Sequence, residues 1–170
     1  SISSTAPWYA YYGQMPRTLD YPRTTLYGQI AKTAEACTDD IAYEFMGRRT
    51  TYAQLLARID RAALALMRLG IGKGDRVTIC MPNTPQAVDC FYALSRIGAV
   101  SNMIHPLSAL QEITFYLDQS DSKAILTLDR FYGKVLAAAQ RAKKKPLLLV
   151  ARLEDELSLP LRLGFALTEA

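Results

Sequence analysis

Apolar side chains recur at helical spacing in two early parts of the chain. From Leu26 to Cys37 they lie four residues apart, which predicts a short amphipathic helix. A longer apolar face follows Thr51, and Gln54 three residues later completes a capping box. The apolar positions of this second helix are Tyr52, Leu55, Leu56, Ile59, Ala63 and Leu66. We expect it to end at Gly70, because glycine commonly closes a helix in a left-handed conformation.

The later part of the chain contains four short apolar runs that predict strands. They are "RVTICM" (76–81), "AVSNMI" (99–104), "KAILTL" (123–128) and "PLLLVA" (146–151). An earlier segment, "IAYEFMGRRTTY", has a different pattern, with two short β-prone stretches around Met46 and Gly47. That segment predicts a tight hairpin ahead of the long second helix.

Helical segments connect the predicted strands. Thr84 as a cap, with Pro85 at the first helical position, starts one helix, which ends at Gly98. Ser108 and Gln111 have the spacing of a second capping box, and residues 130–143 form a further helix. Strands that alternate with helices pair in parallel, so the fold class is α/β. We expect a doubly wound, mainly parallel sheet with helices on both faces and an N-terminal hairpin.

The two ends of the chain lack this alternation. Residues 1–25 are rich in proline and aromatic residues without a sustained period, which predicts an extended arm. Residues 26–170 form the α/β subdomain. Residues 152–170 offer one helical start but no closing element, so we expect this subdomain to be truncated at its C-terminus.

Composition narrows the class of protein. Half of the residues are hydrophobic, enough to bury a core, and the formal net charge is only +4. The basic cluster at residues 141–145 is typical of the solvated end of a helix, and we expect no nucleic-acid partner. Three widely spaced cysteines show no metal-ligand pattern, which favours buried thiols in a reducing compartment. With neither a secretory leader nor a membrane span in the pattern, we expect a cytoplasmic protein.

The stretch "LGIGKGDRVTICMPNTP" (69–85) has three glycines and a lysine, as phosphate-binding loops do. A Walker loop needs glycine where Met67 stands and serine or threonine where Gly74 stands, and the dinucleotide fingerprint needs glycine at Asp75. Both motifs also run from strand to helix, whereas this stretch runs from helix to strand. We therefore interpret it as a helix exit in which Lys73 and Asp75 belong to a solvated turn, and a Rossmann dehydrogenase is disfavoured.

Three segments resemble the N-terminal part of the adenylate-forming (AMP-binding) acyl-CoA synthetase family. "TYAQL" is similar to its Thr-Tyr-x-Glu-Leu opening, and "GIGKGDRVTICMPNTP" to its Gly-Asp-Arg-Val strand with the following Asn. "ALSRIGAVSNMIHPL" resembles its Gly-Ala-Val segment ending in proline. The likeness runs from about Leu26 to the C-terminus, and Val100-Ser101 is closer to acyl-CoA synthetases than to peptide-synthetase adenylation domains.

The resemblance implies an acid–thiol ligase that uses ATP, Mg²⁺ and CoA. Such enzymes convert a carboxylic acid and ATP to an acyl-adenylate, and then to acyl-CoA with release of AMP. The family's phosphate loop, ribose-binding aspartate, hinge and catalytic lysine would all lie beyond Ala170. We therefore assign no catalytic residue and no metal ligand, and we expect this chain alone to be inactive and to bind none of these cofactors.

Two residues are candidates for ligand binding because each follows a predicted strand. His105 is the only histidine, and it stands where the family often has Asn or Asp, so the acid remains unspecified. Asn83 follows the preceding strand. Each has an alternative interpretation, His105 as a hydrogen-bonded loop residue and Asn83 as a residue that holds a turn. The whole chain also has an alternative interpretation, as a stand-alone, non-catalytic interaction or scaffold module. In the ligase interpretation, the surface where further domains dock is exposed and favours self-association.

Overall fold

A computed structural model describes residues 6–158 and 161–162. Its elements in chain order are α1 (Leu26–Ala36), β1 (Ile41–Phe45), β2 (Arg48–Thr51), α2 (Tyr52–Arg68), β3 (Arg76–Cys80), α3 (Pro85–Ile97), β4 (Val100–Ile104), α4 (Leu110–Ser120), β5 (Ala124–Leu128), α5 (Tyr132–Arg141) and β6 (Leu147–Ala151). Short 3₁₀ helices occupy Pro7–Tyr11, Asp129–Phe131 and Leu153–Glu156. The expected alternation of helices and strands is confirmed. No helix in the described part of the chain is long and apolar enough to span a bilayer.

The main sheet has four parallel strands in the order β4-β3-β5-β6. In the register of the central pairs, Val77 lies opposite Ser101 on one side and Ala124 on the other. Val77 and Ile79 pack with α2 and α3 on one face, whereas Cys80 and Ile125 pack with α4 and α5 on the opposite face. Because helices cover both faces, the prediction of a doubly wound α/β fold is confirmed. The hairpin β1-β2 forms a separate antiparallel sheet.

Local chemistry explains where several elements begin and end. The Gln54 N–H donates to Thr51 Oγ1 at 3.3 Å, and Gln54 Oε1 accepts the Thr51 N–H at 3.1 Å, so the capping box is present. The helix exit at Gly70 is left-handed, with φ of +78°. The hairpin turns through Met46 and Gly47, both with positive φ, as its two-residue loop requires.

Three local predictions differ from the structure. Helix α4 has no cap from Ser108 and Gln111; it begins one residue later, because Glu112 Oε2 accepts the Ala109 N–H at 2.9 Å. A carboxylate is the stronger acceptor at a helix N-terminus, where the helix dipole is positive. Helix α5 is shorter than the predicted 130–143, because residues 129–131 form a 3₁₀ turn and Ala142 is extended. The N-terminal arm is not extended throughout, since Pro7–Tyr11 is a 3₁₀ helix.

Candidate functional site

A cleft of about 530 Å³ opens where β3, β4 and β5 end. The segment after β3 contributes Met81, Pro82 and Asn83, and the segment after β4 contributes His105, Pro106 and Leu107. The chain leaves β3 for α3 on one face of the sheet and β4 for α4 on the other. Loops that diverge to opposite faces leave a crevice at the carboxyl ends of parallel strands, which is where ligands bind in open α/β sheets. The fold therefore brings the two sequence candidates, Asn83 and His105, into one cleft.

Asn83 is exposed on the wall of this cleft. The turn beside it is held by Thr84, whose side-chain Oγ1 accepts the Ala87 N–H at 3.4 Å and whose backbone oxygen accepts the Val88 N–H at 3.1 Å. The Asn83 amide makes no hydrogen bond to any residue that the structure describes. Its NH₂ and carbonyl groups are thus free to contact a ligand.

His105 is also exposed, and its ring is oriented by the backbone. Nδ1 accepts the Leu107 N–H at 3.2 Å, and the His105 carbonyl accepts the Ser108 N–H at 3.2 Å. An Nδ1 that accepts a hydrogen bond carries no proton, so the neutral ring has its proton on Nε2. His105 is therefore a hydrogen-bonded loop residue, as the alternative interpretation held, and it still presents an Nε2–H donor.

Lys134, from the first turn of α5, holds this loop in place. Its Nζ donates to the Pro106 carbonyl at 2.6 Å and to the Ser108 carbonyl at 3.0 Å, and it lies 5.9 Å from the centre of the Phe131 ring. Sequence reasoning missed this residue. The helix was predicted from residue 130, which placed Lys134 beyond its first turn. The structure starts α5 at Tyr132, so Lys134 lies in the first turn, where the helix dipole disfavours a cation unless other groups bind it.

The buried cysteines are unsuited to nucleophilic chemistry. Burial raises the pKa of Cys80 to about 11, although nearby Lys134 opposes the shift, and it raises the pKa of Cys90 to about 12. Both thiols stay protonated near neutral pH, and a thiol is a poor nucleophile. Among residues 6–158 and 161–162, no cluster of three or more His, Cys, Asp or Glu side chains could hold a metal ion.

The glycine-rich stretch after α2 lies at the other end of the strands and contains a partly exposed ion pair. Asp75 Oδ2 accepts two hydrogen bonds, one from the Gly72 N–H at 2.8 Å and one from Lys123 Nζ at 2.9 Å. Lys123 also donates to the Gly70 carbonyl at 2.6 Å. The hydrogen bond from Lys123 and the one from Gly72 lower the pKa of Asp75. The predicted turn is present, with Lys73 exposed and Asp75 partly exposed. Local reasoning could not show that Asp75 also pairs with Lys123, which stands 48 residues away.

The chain is similar in sequence to known CoA ligases. A long-chain-fatty-acid–CoA ligase of Bacillus subtilis is 29% identical over 174 residues, which cover 99% of this chain and 30% of that protein. A long-chain-fatty-acid–CoA ligase of Mycobacterium tuberculosis is 42% identical over 78 residues, or 46% of this chain and 16% of that protein. This chain thus spans less than a third of the length of these relatives.

The fold and the family model give the same assignment. A solved fatty acyl CoA synthetase of Mycobacterium tuberculosis superimposes with a TM-score of 0.67 at 31% identity, over 82% of this chain and 28% of that one. The model of the family described as AMP-binding enzyme matches residues 30–163. The chain therefore belongs to the AMP-binding family of adenylate-forming ligases.

Proposed function

We propose that this chain is the N-terminal part of an ATP-dependent acyl-CoA synthetase, with residues 1–25 as an arm and 26–170 as its first α/β subdomain. In the first step of such an enzyme, a carboxylate oxygen attacks the α-phosphorus of ATP, pyrophosphate leaves, and an acyl-adenylate forms. In the second step, the CoA thiol attacks the acyl carbon, loses its proton, and displaces AMP. The observation that carries the proposal is the cleft at the carboxyl ends of β3 and β4, in a chain of this family.

The cleft fits an apolar ligand with oxygen acceptors. Its walls are largely aliphatic, sulfur-bearing or aromatic, and its polar side chains are Asn83 and His105. The Asn83 amide and the His105 Nε2–H can each donate to a carbonyl or carboxylate oxygen of the acid or of the CoA arm. Lys134 fixes the His105 loop, so the His105 donor is positioned before the ligand arrives. We infer that the cleft is one wall of the acid and CoA site.

The triphosphate of ATP and its Mg²⁺ do not fit the groups found here. In the glycine-rich stretch the Asp75 carboxylate already accepts the Gly72 N–H and pairs with Lys123, and the described residues offer no carboxylate cluster for a cation. Phosphate transfer needs a preorganised cradle of donors around the developing charge. We therefore propose that the rest of a longer protein supplies the phosphate loop, and that this chain alone catalyses no step.

Kinetics of the longer ligase test the role of the cleft. We expect Asn83→Ala and His105→Ala each to raise the KM for the acid or for CoA by about tenfold, because each loses a hydrogen bond of about 1.4 kcal/mol to the ligand. Gln29→Ala, which removes an exposed amide from α1, is the control and should leave KM unchanged. Wild-type KM values for both substrates in both cleft variants would overturn the assignment of the cleft.

A further inference from the structure

The loops that enter the four parallel strands lie side by side at the amino end of the main sheet, opposite the cleft. Backbone hydrogen bonds join them: the Gly74 N–H donates to the Gly98 carbonyl at 2.9 Å, the Lys123 N–H to the Arg76 carbonyl at 2.8 Å, and the Leu147 N–H to the Lys123 carbonyl at 2.9 Å. Together with the helix ends that lead into them, these loops form one surface. This amino-end surface consists of residues 67–76, 96–100, 118–123 and 141–146.

The amino-end surface concentrates the positive charge of the chain. Its basic residues are all exposed, and they are Arg68, Lys73, Arg76, Arg96, Lys123, Arg141, Lys143, Lys144 and Lys145. Its acidic residues are Asp75, Asp118 and Asp121. The whole chain has a net charge of only +4, so the residues outside this surface are net negative. The chain is therefore electrically polarised along the direction of its strands.

Part of this positive charge has a role within the fold. Arg68, Arg96 and Arg141 each lie in the last turn of a helix, where the helix dipole favours a cation. Lys123 and Lys144 form ion pairs with aspartates of the same surface, at 2.9 Å and 2.7 Å. The fold thus accounts for these five cations without any external partner.

The other four cations have no such role. Lys73 lies in the loop before β3, Arg76 is the first residue of that strand, and Lys143 and Lys145 lie in the loop before β6. Their side chains make no ion pair or hydrogen bond with any residue that the structure describes. Strands β3 and β6 are two positions apart in the sheet, or about 10 Å. The free cations are therefore spread across a surface, as an extended anionic partner requires, and are not gathered around one small anion.

Exposed apolar side chains lie among these cations. Val100, the first residue of β4, is 50% exposed, and Met67, near the end of α2, is 54% exposed. Met67 belongs to a groove of about 590 Å³ between α2 and α3, with Leu64 and Ile97 on its walls and Lys73 at its rim. Cations beside exposed apolar groups suit a boundary between water and lipid, because a lysine stem can pack on hydrocarbon while its ammonium group stays hydrated.

We propose that the amino-end surface binds the anionic headgroups of a lipid bilayer. The four free cations contact the headgroup phosphates, and Met67 and Val100 reach the boundary with the acyl chains. Each Lys or Arg within a Debye length of an anionic bilayer adds to the attraction. The cleft lies at the other end of β3, a strand of 5 residues or about 17 Å, so it stays open to water. The proposal does not depend on the ligase assignment, because it uses no residue of the cleft.

Vesicle flotation tests the proposal on the protein made from the complete reading frame. We expect the protein to float with vesicles of phosphatidylcholine that contain about 30% phosphatidylglycerol, and not with phosphatidylcholine alone. Raising NaCl from about 0.1 M to 1 M shortens the Debye length from about 10 Å to 3 Å and should release most of the protein. Equal flotation with both kinds of vesicle, or none with either, would overturn the proposal.

A pair of triple variants locates the surface. Lys73→Gln with Lys143→Gln and Lys145→Gln removes three free cations and should lower the partition coefficient at least tenfold. The matched control is Lys32→Gln with Arg48→Gln and Arg49→Gln, which removes the same charge from exposed positions in α1 and the hairpin and should change it less than twofold. Equal losses in the two variants would show that net charge alone drives binding and would refute the surface.

The apolar contact separates a bilayer from other polyanions. Met67→Gln with Leu64→Gln should lower partition into the anionic vesicles several-fold and leave its salt dependence unchanged, because both side chains are uncharged. Duplex DNA at the same salt concentration is the competing partner, and we expect it to bind more weakly than the vesicles. Binding to DNA without binding to the vesicles, or a partition coefficient that the double variant leaves unchanged, would refute the bilayer as the partner.

Discussion

Arg58 holds together α2, α3 and the segment after β6, and its removal should be among the most destabilising single changes. Its side chain is 16% exposed, and those of Asp89 and Glu156 are 11% and 7% exposed. Desolvation opposes the charge of Arg58, but hydrogen bonds to Glu156 and Asp89 outweigh it and raise its pKa. Arg58→Met keeps the aliphatic stem and leaves two buried carboxylates without a cation. Breaking a buried ion pair in this way costs about 3 to 5 kcal/mol.

Urea unfolding of the 170-residue chain measures this cost. With an m-value of about 2 kcal/mol/M, typical of a domain of this size, the midpoint should fall by about 1.5 to 2.5 M. The control is Arg58→Met combined with Asp89→Asn and Glu156→Gln, which removes the uncompensated charges and should recover most of the loss. A loss below about 1 kcal/mol for the single variant would show that Arg58 does not compensate buried charges, because it is the size of an exposed pair. A triple variant no more stable than the single one would also refute it.

Three further outcomes follow from local contacts. Gly70→Ala should lower the free energy of unfolding by about 1 kcal/mol, because φ at Gly70 is +78°. Gly98→Ala should lower it more, because φ there is +73° and a Cβ would also lie 3.1 Å from Lys73 Cγ. Equal losses for the two variants in urea unfolding would show that the contact with Lys73 has no effect. The pKa of Asp75 is lower in the folded chain than in the unfolded chain. Asp75 therefore stabilises the fold fully when the pH is above its pKa in the unfolded chain, and this stabilisation is lost as the pH falls through its pKa in the folded chain. Asp75→Asn should therefore lower the urea midpoint at pH 7 but not near pH 2, and should leave ATP affinity in the longer ligase unchanged; a pH-independent loss or a large drop in ATP binding would count against this. Lys134→Met should speed hydrogen–deuterium exchange across residues 105–109 but not in α1, and unchanged exchange would show that the loop is held by other contacts.

The elements of the fold were predictable because their signals are local. The capping box at Thr51 and the glycine at position 70 mark the two ends of α2 within a few residues of sequence. The alternation of apolar strands with helices indicates parallel pairing, which all three strand pairs of the main sheet confirm. The predicted start of α4 was wrong for a local reason. Ser108 and Glu112 can each accept a hydrogen bond at the helix N-terminus, and in the structure the Glu112 carboxylate does so.

The candidate site was predictable only in part. Asn83 and His105 were found because each follows a strand, and the fold brings such positions together. Lys134 binds the carbonyls of Ser108 and Pro106, which lie 26 and 28 residues earlier in the sequence. Arg58 and Glu156 are 98 residues apart in the sequence. Contacts of that range depend on the packing of whole elements, and no periodicity or motif in the chain encodes them.

Release of pyrophosphate with ATP, Mg²⁺ and a panel of fatty and aromatic acids shows whether this chain is one part of an acyl-CoA synthetase. The same panel is given to the 170-residue chain and to the longer ligase. We expect turnover with at least one acid for the longer protein and none for this chain, because the Asp75 carboxylate takes the Gly72 N–H of the glycine-rich stretch, which therefore offers no phosphate cradle. Turnover by the 170-residue chain alone, or no turnover by the longer protein on any acid, would contradict it.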